Sequence, residues 1–225
     1  MTDIAVIDYG MGNLHSVSTR LAQAAPGLEV TVTSDPAVVR RAARVVFPGQ
    51  GAMPDCMREL DAHGLREAVL EAAHSKPFLG ICIGLQMLFA HSDEGNVACL
   101  EILPGRVRKF SSAMVTASGE RVKVPHMGWN RVRHVAAHPL WQGVSDLAYF
   151  YFVHSFYVEA ADAALITGTS DYPQPFTCAV ARDNVFAVQF HPEKSGSDGL
   201  QLLKNFVQWQ PASWLPRPRR LASAI

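Results

Sequence analysis

The sequence has no excess of either charge and no apolar run long enough to cross a membrane. Its 225 residues include 20 basic and 20 acidic side chains, so the formal net charge is zero. Proteins that bind nucleic acid or an anionic membrane over a large surface usually carry a clear positive excess. A membrane-spanning helix needs roughly 20 consecutive apolar residues, and no stretch reaches that length. Neither nucleic acid nor a membrane is therefore expected as a partner.

Cysteine is scarce, and the four that occur are far apart in sequence, at Cys56, Cys82, Cys99 and Cys178. None forms a C-x-x-C pair or the spacing of a metal site, so neither a metal nor another cofactor is predicted. The first residues also lack the basic segment and apolar core of a signal peptide. We therefore expect a cytoplasmic protein with reduced thiols, since disulfides are rare in that compartment.

Over its first ~90 residues the chain alternates between strand-like apolar runs and helix-like stretches. Strands are predicted at residues 4–8, 29–33, 44–48 and 78–82. Asp35-Pro36 predicts the capped start of a helix, the helical region before the last strand is broken near Gly64, and LQMLFAHS (85–92) predicts a helix after it. This alternation is typical of an α/β fold with an open, mostly parallel, twisted sheet flanked by helices.

Between residues 97 and 189 the pattern changes to short strand-like segments. These are RVRKF, RVKVP, NRVRHV, YFYFVHSFYVE and TCAVARDNVFAVQF. In the last of them, Asp183-Asn184 predicts a hairpin turn. We expect this part of the chain to add mixed or antiparallel strands at the edge of the sheet.

The chain is predicted to form one domain over residues 1–210, because no linker interrupts it. Ser195 or Ser197 is expected to cap a last helix, which carries an apolar stripe from Leu200 to Val207. Residues 211–225 hold three prolines and three arginines but no acidic residue, which favours a mobile tail.

Residues 78–89 read FLGICIGLQMLF, an almost wholly apolar run with a cysteine between two glycines. A strand that turns sharply into a helix through G-x-C-x-G is the cysteine counterpart of the G-x-S-x-G turn of hydrolases. Gly80 and Gly84 would avoid clashes in such a turn. Cys82 would then lie at a strand end and at a helix N-terminus, where a thiolate is favoured. Taken alone, the pattern fits a nucleophile and a buried core cysteine about equally.

The segment AVQFHPEKS supplies a base and a carboxylate for such a nucleophile. Because the residue before a proline favours extended geometry, His191 and Glu193 are expected to continue a strand with both side chains on one face. Glu193 would then orient the imidazole, and His191 would exchange a proton with Cys82. His154 is the competing base, but no carboxylate follows it closely in sequence until Glu159.

Acyl transfer also needs hydrogen-bond donors for a developing oxyanion. The loop PGQGA follows a predicted strand and offers the backbone N–H groups of Gly49, Gln50 and Gly51. The N–H group of Ile83, directly after the cysteine, is a second source of such a bond. Without a catalytic triad, the same loop would be interpreted as an ordinary turn.

Taken in order, PGQGA, GICIGLQ and HPEKS resemble the motifs of the class I, triad-type glutamine amidotransferases, and the resemblance extends to about Gln208. DYGMGNLHSV and PHMGWN (125–130) are similar to the glutaminase subunit of imidazole glycerol phosphate synthase, an enzyme of histidine biosynthesis. Relatives commonly have PGVGAF where this chain has PGQGAM, so Gln50 and Met53 depart from the pattern. Activity is still expected, because a backbone oxyanion hole tolerates a changed side chain.

The resemblance implies that Cys82 attacks the side-chain amide of L-glutamine, releases ammonia and forms a γ-glutamyl thioester, which water hydrolyses to glutamate. His191 and Glu193 complete the implied triad. The residues implied to bind glutamine or to line its pocket are Gln86, His154, Ser155 and Phe156.

The resemblance also implies that ammonia passes to a separate (β/α)8-barrel cyclase subunit, which makes imidazole glycerol phosphate and an aminoimidazole carboxamide ribonucleotide. Such a barrel needs about 250 residues, so it must be another chain, in a heterodimer. The residues implied to face it are Asn13, Pro125, His126, Met127, Gly128, Trp129, Asn130 and Lys194. From composition alone, PHMGWN would be a turn between two strands, with Trp129 as a core anchor.

Three other functions fit part of the pattern. A glutaminase that serves a different ammonia acceptor would keep the same triad, and is the nearest alternative. A catalytically silent scaffold would have no need of the triad. A nucleotide-binding module is suggested by YGMGNL, but its G-x-G lacks a third glycine, since His15 occupies that position.

Overall fold

The computed structural model describes residues 2–115 and 119–212. Its helices are α1 (Leu14–Ala24), α2 (Pro36–Arg41), α3 (Met53–Ala62), α4 (Arg66–Ser75), α5 (Ile83–Gln86) and α6 (Gly196–Gln208). Its strands are β1 (Ile4–Ile7), β2 (Val30–Thr33), β3 (Arg44–Gly49), β4 (Phe78–Cys82), β5 (His91–Ser92), β6 (Val97–Ala98), β7 (Gly105–Lys109), β8 (His126–His134), β9 (Ala148–His154), β10 (Phe156–Ala160), β11 (Ile166–Asp171), β12 (Pro175–Arg182) and β13 (Val185–Val188).

Five strands form a parallel arrangement in the order β2–β1–β3–β4–β13. Every residue of β1, β3, β4 and β13 is buried, which explains why these strands appear in the sequence as continuous apolar runs. Helix α1 packs against α6, and α2 packs against α4. The predicted α/β class, with a mostly parallel sheet and flanking helices, is confirmed.

The second half of the chain extends this sheet with antiparallel strands. β12 pairs with β13 through a hairpin turn at Asp183-Asn184, where Asp183 has φ 53°. β10 then pairs with β12 and β7, while β11 pairs with β12 and β8, and β8 pairs with β9. The predicted addition of mixed and antiparallel strands is therefore also confirmed.

The helix predicted over residues 85–92 is wrong. Helix α5 ends at Gln86, and His91–Ser92 form strand β5. Backbone amides within residues 99–103 donate hydrogen bonds to the carbonyl groups of residues 87–90. These carbonyls are satisfied by a distant part of the chain, so tertiary pairing replaces the hydrogen bonds that would have continued the helix.

The strand expected at RVKVP (121–125) is also absent from the structure. Arg121 makes an isolated bridge to Val115, and residues 119–125 are exposed or half-buried. An alternating pattern that buries little apolar surface does not fix a strand. PHMGWN, in contrast, is not the turn that composition alone predicts, because residues 126–130 belong to β8.

The last predicted helix is α6, which buries Leu203 and Phe206. Ser195 occupies the position before its first turn, but the hydroxyl donates to the carbonyl oxygen of His191 at 2.6 Å and does not cap the helix. Of the predicted tail, residues 213–225 lie outside the described residues. Across the parts of the chain that are described, none of the helices has the length and apolar character that crossing a membrane requires.

Candidate active site

Cys82 lies where β4 ends and α5 begins, with backbone angles φ 57° and ψ −111°, a strained conformation for a residue other than glycine. A Cβ atom on Gly84 would lie 1.8 Å from the carbonyl oxygen of Phe47, and one on Gly80 would lie 2.9 Å from the Cβ of Ala187. Both glycines are therefore needed for the close packing of this turn, the Cys82 elbow. The structure contains the sharp strand-to-helix turn that the sequence predicts.

The Nδ1 atom of His191 lies 2.8 Å from Oε1 of Glu193, and both side chains are buried. The expectation that they continue a strand is wrong, because β13 ends at Val188 and Pro192–Lys194 form a 3-10 turn. Proline suits the first position of a helical turn, since its φ is already fixed and its missing N–H is not needed there. The turn brings Glu193 back onto the imidazole, so the pair forms through a different backbone geometry.

The backbone of His191 is held in place by β9 and by Ser195. Its amide donates to the carbonyl oxygen of Tyr151 at 2.9 Å, and its own carbonyl accepts from the Ser195 hydroxyl. That hydroxyl in turn accepts from the Tyr151 amide at 3.0 Å. These three bonds fix the direction in which the imidazole projects.

The charge state of His191 is set by opposing effects. Burial disfavours the charged ring, but negative charge on Cys82 and Glu193 outweighs burial and raises the pKa of His191 to about 10. The Nε2 atom is buried and has no hydrogen-bond partner among residues 2–115 and 119–212. With this pKa the His191 ring is positively charged near pH 7, and it lies with Cys82 in the wall of one cavity.

His154, the competing base, is occupied elsewhere. Its Nδ1 lies 2.8 Å from the carbonyl oxygen of Phe156, and its Nε2 lies 3.0 Å from Nδ1 of His126. Burial lowers the pKa of His154 to about 3. With both ring nitrogens engaged, His154 is not placed to take a proton from Cys82.

A cavity of about 390 Å³ opens at the carboxyl ends of the parallel strands, in front of Cys82 and His191. The other predicted donors and glutamine-binding residues that line it are Gln50, Gly51, Ile83, Gln86, His154, Ser155 and Phe156. Gly49 is not in the cavity wall, but it pairs in register with Cys82 across β3 and β4. The structure thus brings the predicted nucleophile, base and most of the predicted donors to one cavity.

Gln189, which the motifs did not single out, is fully buried beside Cys82. Its Nε2 lies 3.7 Å from Sγ of Cys82, and its Oε1 accepts from Nε2 of Gln86 at 2.9 Å. A donor aimed at the sulfur stabilises a thiolate. The signal that could have revealed Gln189 is an amide side chain within the otherwise apolar run VFAVQF.

Glu94 was also missed, since HSDEGN has the composition of an ordinary loop. Its side chain lines the cavity, where Oε2 accepts from the backbone amide of Met53 at 3.0 Å. Among the described residues that line the cavity, Glu94 is the one carboxylate. It therefore offers a negatively charged group to a bound ligand.

PHMGWN presents alternate side chains to the two faces of β8. Met127 and Trp129 are 62% and 55% exposed, whereas His126 is buried and Asn130 is half-buried. Trp129 is therefore not the core anchor that composition alone predicts. Tyr149, on the same face of the neighbouring strand β9, is 50% exposed. We call the surface formed by Met127, Trp129 and Tyr149 the β8–β9 patch.

The other residues implied to face a partner lie in different surroundings. Pro125 and Lys194 contribute to the cavity wall, and Nζ of Lys194 lies 5.9 Å from the ring centroid of Tyr151. Asn13 is exposed, and its side chain caps α1 by accepting a backbone hydrogen bond. Gly128 lies within β8, between the two exposed residues of that strand.

The model of the class-I glutamine amidotransferase family matches residues 5–209 of this chain. An imidazole glycerol phosphate synthase subunit HisH from Dechloromonas aromatica is 68% identical over 209 residues, which cover 92% of this chain and 97% of that protein. The subunit of the same name from Aromatoleum aromaticum is 65% identical over 212 residues, 94% of this chain and 100% of that protein.

Two solved structures share the architecture. PurLQS from Thermotoga maritima matches with a TM-score of 0.68 at 17% identity, over 92% of this chain and 99% of that one. A glutamine amidotransferase from the same organism matches with a TM-score of 0.56 at 17% identity, over 85% and 76% of the two chains. At a sequence identity of 17%, the similarity to these two structures shows a shared fold and no more.

The family model and the closely similar relatives show more. This chain belongs to the class I glutamine amidotransferase family and, within it, to the HisH subunits of imidazole glycerol phosphate synthase.

Proposed function

We propose that this protein hydrolyses L-glutamine to glutamate and ammonia, with Cys82, His191 and Glu193 as a catalytic triad. The observation that carries the proposal is that the Cys82 elbow and the buried His191–Glu193 pair meet at one cavity. A thiolate, a base and a carboxylate that orients the base are the groups that nucleophilic acyl transfer requires. Membership of the family supports glutamine as the acyl donor.

In the proposed reaction, the Cys82 thiolate attacks the amide carbon of the glutamine side chain, and the carbonyl electrons move to oxygen. The backbone N–H groups of Ile83 and of residues 49–51 donate to this oxyanion. His191 gives its proton to the leaving nitrogen, the C–N bond breaks, and ammonia departs from a γ-glutamyl thioester. Water then attacks the thioester and loses a proton to His191, and the C–S bond breaks to release glutamate.

Two polar groups in the cavity are proposed to hold the rest of the substrate. Oε1 of Gln86 is buried and has no hydrogen-bond partner within the described ranges, so it is available to accept from a bound ligand. The Glu94 carboxylate is available to the α-ammonium group of glutamine, in a charge-assisted hydrogen bond. The chain around His154, Ser155 and Phe156 forms another wall of the same pocket.

Replacing Glu94 by glutamine should raise the KM for glutamine about tenfold or more, with little change in kcat. Loss of a hydrogen bond to a charged group costs about 1.5–3 kcal/mol, and the α-ammonium group is remote from the bonds that break. Glutamine keeps the shape of the side chain and its ability to accept from Met53. The measurement is glutamate release at varied glutamine concentration.

The matched control for Glu94 is Asp93→Asn, which changes a neighbouring exposed carboxylate that does not line the cavity. Its kinetic constants should equal those of the unmodified protein. A fall in kcat with unchanged KM for Glu94→Gln would show that Glu94 does not bind the substrate ammonium group.

We further propose that the ammonia passes to a separate (β/α)8-barrel cyclase subunit, which forms a heterodimer with this chain and produces imidazole glycerol phosphate and an aminoimidazole carboxamide ribonucleotide in histidine biosynthesis. The names of the similar relatives, as subunits of imidazole glycerol phosphate synthase, support this proposal. So does the β8–β9 patch, because exposed clusters rich in aromatic side chains are typical of protein interfaces. The patch adjoins the cavity through Tyr151, which contacts Trp129 and lines the cavity.

Replacing Trp129 by alanine should weaken binding of the cyclase subunit about 30-fold, since a central interface tryptophan typically contributes 2 kcal/mol or more. The stability of the isolated chain should change little, because the side chain is mostly exposed. Titration of the labelled partner measures the affinity, and Val32→Ala, an exposed valine on the edge strand β2, is the control. If Trp129→Ala instead slowed alkylation of Cys82 in the isolated chain, Trp129 would be a structural part of the glutaminase fold.

Residues 1–210 are proposed to act as one domain, because hydrogen-bonded pairing connects strands from β1 to β13 in a single sheet. The cytoplasmic location stays a prediction.

The experiment that tests the proposed function is the release of glutamate from glutamine, first by this protein alone and then with the cyclase subunit and its ribonucleotide ligand. We expect glutamate release to be slow with this protein alone and much faster in the complex with the cyclase subunit and its ligand. Hydrolysis that the cyclase subunit does not change would indicate another ammonia acceptor. No hydrolysis under any of these conditions would leave the silent scaffold as the explanation.

A further inference from the structure

A row of hydrogen-bonded polar side chains leads from strand β8 into the cavity. Nδ2 of Asn130 lies 3.1 Å from Nε2 of His126, and Nδ1 of His126 lies 3.0 Å from Nε2 of His154. Nδ1 of His154 then lies 2.8 Å from the carbonyl oxygen of Phe156, which is in the cavity wall. Both histidines are almost fully buried.

The hydrogen bonds of this row have a single consistent direction. The Phe156 carbonyl only accepts, so Nδ1 of His154 must donate and its Nε2 must accept. Nδ1 of His126 is then the donor to His154, and Nε2 of His126 accepts from the Asn130 amide. Burial lowers the pKa of His126 to about 4 and that of His154 to about 3, so both rings are neutral near pH 7, as this arrangement requires.

The row continues from Phe156 to the nucleophile. The same carbonyl oxygen accepts a second hydrogen bond, from Nε2 of Gln86 at 3.0 Å. Gln86 also donates to Oε1 of Gln189 at 2.9 Å, and Nε2 of Gln189 lies 3.7 Å from Sγ of Cys82. The positions of both glutamine side chains beside Cys82 thus depend on where the Phe156 carbonyl is held.

The other end of the row lies on a strand with an exposed apolar face. His126 and Asn130 point inward from β8, and Met127 and Trp129, adjacent to them in sequence, point outward in the β8–β9 patch. A shift of β8 therefore moves His126 and Asn130, which donate hydrogen bonds within the row, together with the β8–β9 patch.

The surroundings of the two histidines would suit apolar rings better. His126 stacks on Phe152 and Tyr172, with ring centroids 4.8 and 4.0 Å apart, and His154 packs against Phe110. Burying polar rings in such a cluster is costly unless their hydrogen bonds are all made. Packing alone therefore does not account for two histidines here, whereas a need to orient the Phe156 carbonyl does.

We propose that His126 and His154 are positioning residues: through the Phe156 carbonyl they hold Gln86 and Gln189 in place beside Cys82, and they make the rate of glutamine hydrolysis depend on the position of β8. This inference rests on the proposed glutaminase activity. It assigns no chemical step to either histidine, because within the described residues the hydrogen bonds of both rings go to other partners than Cys82.

The test compares three variants, each assayed alone and in the complex with the cyclase subunit. His126→Phe keeps a ring in the aromatic cluster but removes both hydrogen bonds, and His126→Asn restores a donor near the position of Nδ1. Phe152→Leu changes the packing of the same cluster without removing any bond of the row. Each variant is assayed for glutamate release, for cyclisation with free ammonia, for alkylation of Cys82 by iodoacetamide and for its Tm.

We expect His126→Phe to lower kcat/KM for glutamine tenfold or more and to reduce the ratio of the rates with and without the cyclase subunit. His126→Asn should recover much of the lost kcat/KM and much of the lost rate ratio. Phe152→Leu should show neither loss. Ammonia-dependent cyclisation should be unchanged in all three variants. Equal losses in His126→Phe and Phe152→Leu that follow their Tm values, or an unaffected His126→Phe, would overturn the proposal. An unmodified complex without glutaminase activity would overturn the proposed function itself, and with it this inference.

Discussion

Glutamine hydrolysis should be lost when Cys82 is replaced by alanine, while cyclisation supplied with free ammonia continues. The fall in kcat for glutamine should be at least about 10⁴-fold, the size seen when a triad nucleophile is removed. Without Sγ no thioester forms, and the remaining backbone donors and His191 stabilise only a direct attack by water. The cyclase reaction needs ammonia and not the thiol, so its rate with added ammonium salt should be retained.

The fold should survive this substitution. Cys82 lines the cavity, and alanine keeps the Cβ atom that the elbow already accommodates. Glutamate release, ammonia-dependent cyclisation and Tm are the three measurements. Cys99→Ala, which changes a buried free thiol outside the cavity, is the control and should keep both reactions. Loss of both reactions in Cys82→Ala would mean that the cysteine has a structural role.

The parts of the fold that the sequence predicted are those in which local pattern and tertiary environment agree. β1, β3, β4 and β13 are buried along their whole length, so each appears as an apolar run, and the hairpin at Asp183-Asn184 has its own turn residues. The Cys82 elbow was predictable for a related reason. Its glycines are required by contacts with strands on both sides, and that requirement is visible in the motif.

The parts that were predicted wrongly depend on contacts between distant segments. Residues 87–90 have helical composition, but their carbonyl groups accept hydrogen bonds from backbone amides within residues 99–103. His191 and Glu193 were expected in a strand, whereas the bonds from β9 and Ser195 begin a 3-10 turn there. Neither partner segment can be identified from the local sequence.

Parts of the candidate site could not be predicted from the sequence for the same reason. Strand order places Gln189 beside Cys82, and a loop places Glu94 in the wall of the cavity. Neither residue belongs to a motif that indicates a function. The row through His126 and His154 joins two strands that lie 28 residues apart at this contact. Sequence reasoning could find PHMGWN as a unit, but the opposite roles of its inward and outward side chains required the pairing of β8 with β9.

Replacing Gly84 by alanine should destabilise the protein by about 3 kcal/mol or more, which for a chain of this size lowers Tm by about 6–12 °C. The added Cβ would lie 1.8 Å from the carbonyl oxygen of Phe47, and this oxygen belongs to the backbone of the buried strand β3. A flexible side chain could move aside, but a central strand cannot move without disturbing its pairing with β1 and β4. The elbow must therefore shift, and Cys82 with it.

Gly27→Ala is the matched control, because its φ of +83° makes alanine unfavourable there while the added Cβ meets open space. Its cost should be only about 1–2 kcal/mol. Denaturant unfolding compares the two variants, and the rate of Cys82 alkylation at a temperature where both remain folded separates elbow geometry from stability. We expect Cys82 to be alkylated more slowly in Gly84→Ala than in the unmodified protein, and at an unchanged rate in Gly27→Ala. Equal losses of stability in the two variants, with the alkylation rate unchanged in both, would show that the elbow has more room than the contact with Phe47 implies. Gly84 would then not be what fixes the position of Cys82.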